Sequence, residues 1–216
     1  ADGNGNTIDN KGNNTADGAG STGTDVDGNG NKIINEGDTS AAAGGTGTSV
    51  DGNDNTIDNK GKNTADGEGS TGTDVTGDGN KINNEGDTSA TSGATGTNVD
   101  GNGNEINNNG ANSADGAGST GTNVSGDDNT INSKGDTSAK NGATGTDITG
   151  DGNKYNNTGD ITAEGENSTG VNISGNKATV DNEGEINVSN GASGINITGD
   201  DATVTNKGAI TVSDNA

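Results

Sequence analysis

The chain has 216 residues, with 33 acidic and 10 basic side chains, a formal net charge of −23, and only 21% hydrophobic residues. Phe, Trp, Met, Cys and Pro are absent, which excludes the apolar core of an ordinary globule, disulfides and thiolate metal sites. The acidic balance argues against nucleic acid and anionic membranes as partners, and no apolar run approaches the roughly 20 residues of a membrane helix.

Composition of this kind usually signifies disorder. The order of the residues says otherwise. Val26, Val50, Val75, Val99, Val124, Ile148, Ile173 and Ile197 recur at alternating intervals of 24 and 25 residues. Ile8, Ile33, Ile57, Ile82, Ile106, Ile131, Tyr155, Val180 and Val204 form a second series in the opposite phase. Two fixed phases over the whole chain mark a repeat protein. The larger unit is 49 residues, because Asn14, Thr39, Asn63, Thr88, Asn112 and Thr137 alternate in type within one column.

Along the chain each repeat reads as three short strands separated by Gly, Asn and Asp turns. In the T-G-T-D-V segment Thr24 and Val26 share one face by strand parity, leaving Gly23 and Asp25 on the other. In the next strand Asn31, Ile33 and Asn35 point inward. In the third Thr39 and Ala41 do so, replaced late in the chain by Ile161 with Ala163 and Ile186 with Val188. The expected fold is therefore all-β: a right-handed parallel β-helix, or solenoid, of about nine coils, with handedness from the crossover rule. Nine coils at about 4.8 Å each make a rod roughly 40–45 Å long.

So polar a core needs hydrogen bonds. Asn35, Asn59, Asn84 and Asn108 are expected to stack as an amide ladder. The column Gly37, Gly61, Gly86 and Gly110 suits a corner. Residues 1–216 read as one β-helix segment, with polar-core coils over 1–160 and more apolar coils over 161–216, the latter expected to be the more stable. Ala1 falls in the Val26 column, so the chain reads as a piece of a longer protein.

Outward columns supply the candidate sites. Asp25, Ser49, Asp74, Asn98, Asn123, Asp147 and Asn172 form a stripe suited to self-association or ligand binding. Lys11, Glu36, Lys60 and Glu85 alternate in charge as a ladder. D-x-N-x-N recurs, as in Asp27, Asn29 and Asn31, and oxygen ligands at alternate positions suit Ca²⁺. The same residues are ordinary turn formers, so the expectation is no resident cofactor, with Ca²⁺ as the one candidate. Outward Thr7, Thr56, Thr130, Thr179 and Thr203 resemble an ice-binding row, but Lys32, Lys81 and Lys154 interrupt it. Glycosidases need a paired carboxylate constellation; here the carboxylates recur periodically, without His or Arg. The expectation from composition is no enzyme.

The late coils V-N-I-S-G-N-K-A-T-V-D-N-E-G-E-I-N-V and I-N-I-T-G-D-D-A-T-V-T-N-K-G-A-I-T-V resemble the β-helical passenger domains of bacterial autotransporters, nearest to the self-associating and adhesive group that includes antigen 43 and the diffuse-adherence adhesin. The earlier coils keep the frame with Thr or Asn at several apolar positions. The resemblance implies an exported chain, at the bacterial cell surface or secreted. Its expected partners are a second copy of itself or a host matrix protein or glycan, with no membrane insertion by this segment. A passive stalk projecting another domain and an ice-binding solenoid are the alternatives.

Overall fold

The computed structural model describes residues 1–213, which form strands joined by turns, bends and short irregular links, with no helix among the described residues. Three sheets run the length of a parallel β-helix. Sheet 1 has nine strands from Thr7–Asn10 to Thr203–Asn206, sheet 2 nine from Asn14–Asp17 to Ile210–Ser213, and sheet 3 eight from Thr22–Asp27 to Ser193–Thr198. Each strand pairs in parallel with its counterpart one coil away. Ile33 lies beside Ile57, Asn35 beside Asn59, and Val50 beside Val75. Backbone pairing between coils thus puts like residue on like and fixes every column.

The alternation of coil length has a single location. From sheet 1 to sheet 2 the strand starts are always seven apart, as from Lys32 to Thr39, and from sheet 3 to sheet 1 always ten, as from Thr22 to Lys32. From sheet 2 to sheet 3 they alternate between eight, as from Asn14 to Thr22, and seven, as from Thr39 to Thr46. The extra residue therefore sits at one corner of the triangle on every second coil.

The core is narrow. The Val26 and Ile33 columns interlock along the axis, with Tyr155 taking an Ile position. The Ala16 column of sheet 2 closes the third side. Between these runs the amide ladder. Asn35 Nδ2 donates to Asn59 Oδ1 (2.8 Å), Asn59 to Asn84 (2.9 Å) and Asn84 to Asn108 (2.9 Å). The same Nδ2 groups also donate across the interior to Thr48, Thr73 and Thr97 hydroxyls (3.1, 3.1 and 3.2 Å). Each amide thereby ties two sheets as well as two coils. Ser133 occupies this column one coil from Asn157 and beside the Tyr155 coil, where a smaller side chain leaves room for the buried ring. Burial pushes the Tyr155 phenol above its ordinary pKa.

The Asn14 column explains its own alternation. Asn14 Nδ2 donates to Gly47 O (2.7 Å) and Thr48 Oγ1 (3.0 Å) in the next coil, and Asn63 donates likewise to Gly96 O (2.9 Å) and Thr97 Oγ1 (3.2 Å). On the intervening coils Thr39 and Thr88 turn a methyl group toward Gly47 and Gly96.

One parity expectation is corrected. Gly23 does not face outward with Asp25. Its counterpart Gly47 is buried, and a Cβ there would run into Thr39 Cγ2 and the carbonyl oxygen of Gly72. The register passes from Thr22 beside Thr46 directly to Thr24 beside Thr48. The strand bends at the glycine, so that Gly and Thr both face inward and the Thr22 column is turned out, half-exposed in most coils. Late in the chain Ile161, Val171, Ala178 and Ile186 stand in inward columns that are polar earlier, and Val188 replaces an alanine. These apolar columns run on to the last described strands, where Val204, Ile210 and Val212 are exposed around a concavity of about 480 Å³.

Candidate interaction faces

The stripe from Asp25 to Asn172 lies on the outer face of sheet 3, one residue per coil in register. Its side chains are half-buried in most coils and bond to one another along the axis. Asn98 Nδ2 donates to Asp74 Oδ1 (2.8 Å), Asn123 to Asn98 (2.7 Å) and Asn172 to Asp147 (2.8 Å). One N–H of each of these amides is thus committed along the rod, and the second N–H and the carboxylate and amide oxygens face outward.

Sheet 1 carries a second outward ladder that sequence parity did not single out. Asn83 Nδ2 donates to Asp58 (2.7 Å), Asn107 to Asn83 (2.9 Å), Asn132 to Asn107 (2.8 Å) and Asn156 to Asn132 (2.7 Å). A third ladder runs along the corner between sheets 3 and 1. There the Asx side chain of one coil accepts the backbone N–H of the next, through Asn4, Asn29, Asn53, Asp78, Asn102, Asp127 and Asp151. Asn and Asp alternate freely in this column because only the shared Oδ1 acceptor is used.

The expected charge ladder forms in part. Lys60 Nζ lies 3.7 Å from Glu36 on the neighbouring coil. Lys11, just past the first strand, instead pairs with Asp9 two residues earlier (3.7 Å). Glu85 has no ion pair among the described residues. Four other ion pairs are shorter: Lys32 to Asp58 and Lys140 to Glu164 (3.5 Å each), Lys81 to Glu105 (3.0 Å) and Lys207 to Glu183 (2.8 Å). Hydrogen bonds from Asn107 and Lys81 hold the Glu105 carboxyl below the usual carboxylate range, and Lys207 does the same for Glu183.

Asp27, Asn29 and Asn31 do not converge on a Ca²⁺ site. Asn31 is 1% exposed and its Oδ1 accepts the Asn6 N–H (2.8 Å) inside the rod. Asn29 is exposed with Oδ1 on the Asn53 N–H (2.7 Å), and Asp27 ends its strand on the outer face. Positive φ at Gly28 and Gly30 (133° and 66°) turns the chain between them, so alternate positions do not share a face. Among the described residues, no three acidic side chains group as a metal site, and no helix is long and apolar enough to cross a membrane.

No protein-family model matches the chain, and no curated protein matches it. A solved structure that aligns with it is endopolygalacturonase I from Stereum purpureum, complexed with two galacturonates. The alignment has 13% identity, covers 100% of this chain and 96% of that one, and has a TM-score of 0.29. The expectation of no enzyme, drawn from composition, is corrected by this finding, since the aligned protein is an enzyme. At that TM-score the likeness carries no argument about an activity or substrate of this chain. The parallel β-helix itself rests on the strand pairing described above.

Proposed function

We propose that this segment is part of an exported, cell-surface adhesin that works by self-association, through polar faces repeated along a stiff rod. The observation that supports the reading is the register. Each outward group recurs at the coil spacing of about 4.8 Å on three continuous sheets, so any weak contact made once can be made many times along the rod. Linked weak contacts add through effective concentration. A second copy presents the same spacing and is the best-matched partner; a host matrix protein or glycan with a periodic polar surface is the alternative. The reading needs no cofactor.

With a charge of −23 two copies repel at long range, so association should strengthen as salt screens them. Sedimentation velocity over a concentration series, at low and moderate salt, with Ca²⁺ and with chelator, tests this. Reversible dimers or longer assemblies that grow with salt support self-association. A monomer under every condition removes it and leaves the stalk, which the continuous coil-to-coil hydrogen bonding would make rigid.

A further inference from the structure

Six Asn–Gly pairs stand in the chain, beginning at Asn4, Asn29, Asn102, Asn109, Asn141 and Asn190. In such a pair the glycine nitrogen can attack the side-chain carbonyl carbon of the asparagine, because no Cβ on the glycine shields it. A hydrogen bond that holds the glycine N–H, or one that holds the side-chain amide, opposes the attack. In five pairs the glycine N–H is held. Gly5 donates to Asn29 O (3.0 Å), Gly30 to Asn53 O (2.9 Å), Gly103 to Asp127 O (2.9 Å) and Gly110 to Asn84 O (3.4 Å). Gly142 donates to Ser168 Oγ (2.9 Å).

Asn141 and Asn190 form a matched comparison inside one molecule. The corner between sheets 2 and 3 is short on every second coil, and both pairs sit at short corners. Their backbones are nearly the same: φ is 54° and 56° at the two asparagines and 82° and 80° at the glycines that follow. What surrounds them differs. Asn141 Nδ2 donates to Asp115 Oδ1 on the preceding coil (2.6 Å), so both reacting groups of that pair are held. In the place of Asp115 below Asn190 stands Glu164. Its carboxylate turns instead to Lys140 on the coil before (3.5 Å). Among the described residues neither the Asn190 amide nor the Gly191 N–H has a hydrogen-bond partner, and both residues are exposed, whereas Gly142 is half-buried.

We infer that Asn190 is a site of spontaneous covalent modification, deamidating through a cyclic imide while the other five pairs are protected. The inference is independent of the self-association reading. The Gly191 nitrogen bonds to Asn190 Cγ and the Cγ–Nδ2 bond breaks. The Gly191 proton passes through solvent to the departing nitrogen, which leaves as ammonia. Water then adds to either carbonyl carbon of the imide. One opening yields aspartate. The other yields isoaspartate, in which the main chain runs through the side-chain carbon and is longer by one methylene. Water is the sole co-reactant and no electrons are exchanged. Either product places a new negative charge at the corner, one coil from Glu164 and Glu166, and isoaspartate also lengthens the turn that leads from sheet 2 to sheet 3.

Folded wild-type chain is incubated in warm, mildly alkaline buffer and cleaved after lysine. Peptides 141–154 and 178–207 are followed by mass, with fragmentation to locate the gain of one mass unit and enzymatic methylation to read isoaspartate. The expected result is deamidation at Asn190 severalfold faster than at Asn141, with isoaspartate exceeding aspartate, and a difference that vanishes when the chain is unfolded in urea. The Asp115→Ala, Ser168→Ala double variant, its fold checked by circular dichroism, should bring Asn141 to the Asn190 rate. Equal rates at the two asparagines in folded wild type overturn the site. A difference that survives unfolding does so too, because neighbouring sequence would then set it. An Asn141 rate unmoved in the folded double variant overturns the assignment of protection to those two bonds.

Discussion

Replacing Asn84 by Ala tests whether the buried amide ladder holds the coils together. Asn84 accepts from Asn59 (2.9 Å) and donates to Asn108 (2.9 Å) and Thr97 (3.2 Å). After truncation Asn59 keeps its bond to Thr73 and Thr97 keeps the donor from Asn63. Asn108 Oδ1, buried, loses its donor from the preceding coil. An orphaned buried acceptor costs about 1–3 kcal/mol and each further lost bond about 0.5–1.5, so the expected destabilisation is about 2–4 kcal/mol. For a chain of this length that lowers the thermal midpoint by roughly 5–15 °C. The matched control is Asn83→Ala, the next residue on the same strand but facing out, where water replaces the lost partners and the change should stay within about 1 kcal/mol. Urea and thermal unfolding of both variants give the answer. If Asn84→Ala is no more harmful than Asn83→Ala, the interior ladder contributes no net stability and the backbone ladders carry the stack alone.

Gly96→Ala places a methyl group against Thr88 Cγ2 and the carbonyl oxygen of Gly121 (2.6 Å). It should cost about 1–3 kcal/mol by overpacking, with Thr88→Ser as partial rescue in a double-mutant cycle. Asn141 precedes Gly142, a pair prone to succinimide formation when the glycine N–H is free. Here that N–H donates to Ser168 Oγ (2.9 Å), so Ser168→Ala should speed deamidation of Asn141, read by peptide mass. Asn29 should stay unchanged, because the Gly30 N–H donates to the Asn53 carbonyl (2.9 Å). Glu105 has a folded pKa held below its usual 4.5 by Asn107 and Lys81, so it stabilises the fold above pH 4.5. That contribution is lost as pH falls through the folded value. The stability gap between wild type and Glu105→Gln should therefore be present at neutral pH and close under acid; a gap independent of pH would refute the assignment.

Much of this architecture was legible because the coil has so few large residues. Val26, Ile33 and their successors could occupy only the interior, and their spacing fixed the period, the strand count and the inward Asn35 column. Parity failed at Gly23 because strand alternation assumes an unbent strand. A residue without Cβ can face a crowded interior where any other would be excluded, and that permits the bend that turns Thr22 outward. The D-x-N-x-N reading failed for a related reason: Asp27 ends a strand and the glycines that follow redirect the chain, leaving Asn29 outside and Asn31 within. The charge ladder was legible in composition but not in pairing, since Lys11 reaches Asp9 two residues back rather than Glu36 on the next coil.

The alternation of 24 and 25 residues was visible from the start, but its meaning depended on where the extra residue falls. Because it falls always at one corner, the interior and exterior share a two-coil period. Asn14, Asn63 and Asn112 mark the long-corner coils inside, where their amides reach a glycine carbonyl of the next coil. Asp17, Asp66 and Asp115 mark the same coils outside. Thr39, Thr88 and Thr137 fill the alternate coils, beneath the short corners, with a methyl group turned to the facing glycine. A core that needed only to stack would be served by identical coils, as the single repeating columns of sheets 1 and 3 show. The second period adds nothing that those columns lack for register, and its external consequence is an acidic strand residue before each long corner (Asp17, Asp66, Asp115, Glu164) and none before each short one (Ala42, Thr91, Lys140, Ser189).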